Sequence, residues 1–74
     1  MKAVKINSDY PDLEAGREYE VERIRHNYNT YHMKLIGSPR IYDMRSFQIT
    51  DKGESISYAE AYRRDCLYRA LRGE

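Results

Sequence analysis

Gly16-Arg17-Glu18-Tyr19-Glu20-Val21-Glu22-Arg23-Ile24-Arg25 is the stretch that decides the fold. From Glu18 to Glu22 acidic and apolar residues alternate, the period-two signature of a half-buried strand. Tyr19 and Val21 share one face, but Ile24 falls on the opposite parity. A one-residue slip inside a strand throws later side chains to the wrong face unless a bulge absorbs the extra residue. Bulged, sharply bent strands are how a short sheet curls towards a barrel. A strand over residues 18–25 with a bulge near its middle therefore predicts a small, strongly curved antiparallel sheet.

The flanking segments fit that expectation. His26-Asn27-Tyr28-Asn29 reads as a hairpin loop, because Asn tolerates turn geometry. Thr30 to Ile36 is the returning strand, with Tyr31, Met33 and Leu35 on one face and Thr30, His32, Lys34 and Ile36 on the other. Gly37-Ser38-Pro39 breaks the chain. Arg40 to Met44 makes a short strand, and Ser46-Phe47-Gln48-Ile49 closes the β portion. Upstream, Ala3 to Asn7 is a strand with Val4 and Ile6 on one side and Lys5 on the other. Ser8-Asp9-Tyr10-Pro11-Asp12 is a turn, Leu13 plugs one end of the core, and Gly16 ends the loop. The expected core is Val4, Ile6, Leu13, Tyr19, Val21, Tyr31, Met33, Leu35, Phe47 and Ile49.

After a polar turn at Asp51-Lys52-Gly53-Glu54 the pattern changes in kind. Ser57-Tyr58-Ala59-Glu60 has the S-x-x-E form of a capping box, in which the Ser hydroxyl and the Glu carboxylate each satisfy a free N–H. Tyr58 to Arg72 contains no Gly or Pro, and Gly73 follows as a C-terminal cap. At about 100° per residue Ala59, Tyr62, Cys66 and Ala70 form one stripe, extended by Leu67 and Leu71 and edged by Tyr58. That stripe is the expected docking face. Ala61, Arg64, Asp65, Tyr68 and Arg72 lie opposite. Glu60 with Arg64, and Asp65 with Arg69, are pairs at the favourable i,i+4 spacing. The expected layout is one domain: a barrel over 1–50, a turn over 51–56 and a packed helix over 57–74.

Composition narrows the classes. With 74 residues the chain holds one core at most, and eight tyrosines make up for a thin supply of aliphatic residues. The net charge is +1, too even for a dedicated, strongly basic nucleic-acid domain. Cations are nevertheless concentrated between residues 25 and 50, where Arg25, Lys34, Arg40 and Arg45 stand against Asp43 alone. No apolar run approaches the length of a membrane span. A single cysteine, Cys66, allows no internal disulfide, so a cytoplasmic location and no membrane association are expected.

Tyr10-Pro11-Asp12-Leu13-Glu14-Ala15-Gly16-Arg17-Glu18-Tyr19-Glu20-Val21 resembles the opening of small SH3-like barrel proteins of bacteria and their phages. In those proteins a loop precedes G-x-x-Y-x-V and two hairpin strands. A closing "Ser/Leu-Phe-x-Ile" strand is matched by Ser46-Phe47-Gln48-Ile49. The resemblance covers about residues 2–50 and implies binding rather than catalysis. The expected fold class is α+β, a small SH3-like antiparallel barrel of four to five strands with one C-terminal helix.

No constellation of catalytic residues is present. His26 and His32 stand six apart beside Lys34, a poor arrangement for a divalent ion, and Cys66 lies mid-helix without a partner base. No phosphate loop or nucleotide fingerprint occurs. The expectations are no enzyme activity, no metal and no cofactor. A protein partner is expected on the helix ridge Arg64, Tyr68 and Arg72, since Tyr and Arg carry much interface energy. Size and resemblance suggest a phage accessory factor, for example an inhibitor of a host defence system such as an anti-CRISPR protein. The alternative ligand is nucleic acid, held by Tyr28, His32, Lys34, Arg40, Tyr42 and Arg45. The sequence sets no oligomeric state.

Overall fold

The protein is described here by a computed structural model covering residues 1–73; Glu74, the last residue of the expected C-terminal unit, lies outside the described residues. Six strands precede one helix: β1 Lys2–Lys5, β2 Glu18–Asn27, β3 Thr30–Leu35, β4 Ile41–Asp43, β5 Phe47–Asp51, β6 Glu54–Ile56 and α1 Tyr58–Leu71. A 3-10 turn, Met44–Ser46, joins β4 to β5. All pairings are antiparallel, in the order β4-β3-β2-β1-β5-β6. The sheet is open, with β4 and β6 as its edges, so the expected closed barrel is replaced by a bent sheet carrying a C-terminal helix.

The bulge stands where the parity slip put it. Val21 pairs with Leu35 and Arg23 with Lys34, so Glu22 is the extra residue on β2. The slip returns Ile24 to the core, opposite Met33. The core comprises Ala3, Leu13, Ile24, Met33, Leu35, Tyr42, Met44, Phe47, Ile49 and Ala61. Tyr10, Tyr42 and Phe47 form its aromatic centre: Tyr10 meets Tyr42 edge-on at 4.9 Å and stacks near Phe47 at 6.0 Å. Tyr19, Val21 and Tyr31 are half-buried against this cluster.

Two expectations about faces are corrected. In β1 it is Ala3 and Lys5 that point inward, while Val4 is half-buried and Ile6 is 58% exposed. The Lys5 amine is the reason. It donates to the carbonyl oxygens of Leu13 at 2.6 Å and Tyr10 at 3.0 Å, tying down the loop over residues 6–17. A buried ammonium is tolerable only with such partners.

The helix is turned by a similar cause. Ser57 caps it, its Oγ accepting from Glu60 N at 3.1 Å, as expected. The residues it buries, however, are Ala61 and Asp65, both from the side expected to face solvent. Asp65 Oδ2 accepts from the backbone N–H of Ile24 at 3.0 Å, just past the bulge, and from Arg69 Nε at 3.1 Å. Asp51, buried at the end of β5, accepts from the Tyr68 hydroxyl at 2.6 Å and from Arg64 Nη1 at 3.0 Å. Two buried carboxylates thus orient α1, with the small Ala61 allowing close approach. Of the expected docking stripe, Tyr62 and Cys66 are half-buried, whereas Ala59, Leu67, Ala70 and Leu71 are exposed. No helix among the described residues is long and apolar enough to cross a membrane.

Candidate functional site

Alternation along β2 and β3 leaves a second set of side chains, on the parity opposite to the buried Ile24 and Met33. Beyond the bulge Arg23 and Arg25 take the parity opposite to Ile24. Across the ladder Arg23 lies opposite Lys34, and Arg25 opposite His32. Side chains on directly opposite residues share a face about 5 Å apart. β4 adds Ile41 beside Lys34 and Asp43 beside His32. Arg23, Arg25, His32, Lys34 and Ile41 line one shallow groove, with Met33 at its floor.

The electrostatics of this groove differ from those of the remaining surface. Elsewhere most cations are engaged: Lys2 with Glu20, Arg17 with Glu14, Arg40 with Asp12, Arg45 with Asp43, Arg63 with Glu60, Arg64 with Asp51 and Glu60, and Arg69 with Asp65. Among the described residues the side chains of Arg23, Arg25 and Lys34 have no ion pair, hydrogen bond or ring contact. Lys52, at the β5–β6 turn, is likewise unengaged. Three unneutralised cations therefore sit side by side on one strand face. The nearest carboxylate across the ladder, Asp43, already holds Arg45 at 2.7 Å, and the hydrogen bonds from Arg45 keep its carboxyl below the usual range.

The expected site residues fare differently. Lys34 and His32 are on this face, and Tyr28 stands at its end, on the β2–β3 turn. Arg40 is drawn away: it binds Asp12 at 2.8 Å and lies over the rings of Tyr10 and Tyr42 at 5.4 and 5.7 Å. Arg45 is held by Asp43. Tyr42 is fully buried, so its place in an open interface is corrected. Its hydroxyl donates to Asp12 Oδ2 at 2.7 Å and meets Ser38 Oγ at 2.7 Å, while burial pushes its pKa up. Of the expected helix ridge, Arg64 and Tyr68 are half-buried, with their polar ends on Asp51. Glu60 joins them, its carboxyl pulled to about 2 by Arg63 and Arg64. Arg72 is exposed at the helix end and caps it through its backbone N–H.

Arg23 and Arg25 were not among the expected ligand contacts. Their signal was present in the sequence: once the slip puts Ile24 inward, its neighbours must face outward. The two histidines lie on opposite faces, His26 stacking on Tyr31 at 4.3 Å on the helix side. No group of three His, Cys, Asp or Glu side chains among the described residues is placed to hold a metal ion. Comparison with protein-family models, curated proteins and solved structures found no match.

Proposed function

We propose that this chain is a non-enzymatic binding domain that holds nucleic acid by its phosphates on the outer face of β2, β3 and β4. The observation that carries the reading is the cluster of Arg23, Arg25 and Lys34, adjacent across one ladder and without counter-charge among the described residues. Like charges held together cost stability. A ligand that brings phosphates to them relieves that repulsion and releases counterions. Arg25 opposite His32 gives the same face a further hydrogen-bonding side chain.

The likeness to small SH3-like barrel proteins belongs to this proposal. It is supported by the order of parts: a loop over 6–17, the Gly16 turn before Tyr19 and Val21, the bent β2–β3 hairpin and the Phe47-Gln48-Ile49 strand. In such a domain the sheet provides a rigid platform and ligands are taken on its surface.

Backbone amide shifts in a titration with a short oligonucleotide test the proposal. The expected footprint is residues 23–25 and 32–34. A footprint on the exposed apolar residues of α1, Leu67 and Leu71 (48% and 76% exposed), produced by a protein and by no oligonucleotide, would replace this reading with that of a protein-binding factor.

A further inference from the structure

We infer that Tyr28 is a stacking platform for an unpaired base, and that the ligand of the neighbouring cationic face is single-stranded nucleic acid. The inference rests on the proposed function and adds the ligand class.

Three observations carry it. Tyr28 is the most exposed of the large hydrophobic residues, at 90%. Its ring meets no other ring and its hydroxyl makes no hydrogen bond among the described residues. Its backbone has φ +54°, a left-handed conformation that bulky residues rarely adopt and Asn adopts far more readily. Asn27 and Asn29 stand on either side. A turn that needed only its geometry would be better served by Asn or Gly at this position. The strain and the exposure together hold an aromatic ring out at the hairpin tip, and such strain gathers at functional positions.

The contrast with the other rings nearby is informative. His26 and Tyr31 stack on one another at 4.3 Å with planes 12° apart, and Tyr62 closes on both at 5.7 and 5.8 Å. Those three rings satisfy each other. Tyr28 alone is left with both faces free.

Its place in the fold supplies the ligand. The rungs Arg23–Lys34, Arg25–His32 and Asn27–Thr30 run along the outer face and end at the Tyr28 turn. At about 3.3 Å per residue, Arg23 to Asn27 spans roughly 13 Å. A backbone laid along this path places phosphates on the arginines and carries the next base over the Tyr28 ring. Cationic tracks ending in free aromatic rings are how single strands are held without sequence preference. In a duplex the base faces are already stacked and offer nothing to a ring at a hairpin tip.

The test uses the intact protein, a labelled oligothymidine of about ten nucleotides and a duplex of the same length, read by fluorescence anisotropy. The expected result is tighter binding of the single strand than of the duplex. Tyr28→Ala lowers single-strand affinity roughly tenfold, leaves duplex binding unchanged and keeps the circular dichroism spectrum. Tyr28→Phe keeps the affinity, since the ring alone is required. Equal single-strand affinity for wild type and Tyr28→Ala, with Arg23→Ala still weakening it, would overturn the stacking role and leave the proposed function standing. Tighter binding of the duplex, or equal competition by polyglutamate, would overturn the single-strand assignment. Binding of neither oligonucleotide at low salt would overturn both.

Discussion

Asp65→Ala removes one carboxylate and reads the whole docking of α1. Asp65 is 5% exposed, accepts the Ile24 N–H at 3.0 Å and holds Arg69 at 3.1 Å. The alanine variant leaves the Ile24 donor buried without a partner, at a cost of about 1–3 kcal/mol. Arg69 loses its counter-charge while its side chain stays mostly buried. Breaking a buried pair on one side costs about 3–5 kcal/mol, so a loss of about 3 kcal/mol is expected here. A domain of this length has a total stability of roughly 4–11 kcal/mol. The melting temperature should fall by about 12–24 °C. Asp65→Asn keeps an oxygen for the Ile24 N–H and gives up only the charge, so it should lose about 1 kcal/mol. Urea unfolding of the three proteins, followed by circular dichroism, separates the two contributions through the midpoint at constant slope. A loss under about 0.5 kcal/mol for Asp65→Ala, the range of ordinary surface substitutions, would refute the stapling of the helix to the bulge.

Other outcomes follow from the same geometry. The Tyr68 hydroxyl first, and Arg64 after it, hold the Asp51 carboxyl below its ordinary value of 3.8. A carboxyl lowered by folding stabilises above its unfolded value, and that stability is lost as pH falls through the folded one. The melting temperature should therefore drop below about pH 4, and Asp51→Asn, less stable at neutral pH, should show a shallower acid decline; parallel acid profiles would remove Asp51 from the account. Gly16 has φ +81° with open space where a Cβ would sit, so Gly16→Val should cost about 1–3 kcal/mol through backbone strain alone. An unchanged melting temperature would show that the loop relaxes.

What was legible in the sequence depended on how each contact is made. The slip between Val21 and Ile24 announced the bulge, because parity records which side a strand buries. Leu13 stood out as an apolar residue in a polar loop, and Ser57 marked the helix start. The faces of β1 and α1 were misread for one shared reason. Lys5, Asp51 and Asp65 are charged residues that the fold buries, and a hydrophobic pattern assigns them to solvent. Lys5 takes the carbonyls of Tyr10 and Leu13, Asp51 takes Arg64 and Tyr68, and Asp65 takes the Ile24 N–H, contacts that a hydrophobic pattern does not record. β6 was missed since Glu54–Ile56 offers one apolar residue, and its pairing rests on the Lys52–Gly53 turn, with φ +55° and +82°. Within the candidate site, the cationic block was visible, but ion pairing divided it. Asp12 and Asp43 took Arg40 and Arg45, and Arg23 joined from beyond the block.

The salt dependence of oligonucleotide binding tests the central claim most directly. Each phosphate neutralised adds about 0.7–0.9 to the slope of log K against log salt, so Arg23, Arg25 and Lys34 should give a slope of about −2 to −3. The triple variant Arg23→Ala, Arg25→Ala, Lys34→Ala removes side chains with no partners among the described residues, so it should fold normally. It is predicted to bind weakly, with a slope near zero. A triple variant that binds with the wild-type affinity and the wild-type slope would contradict the claim that this strand face holds the ligand.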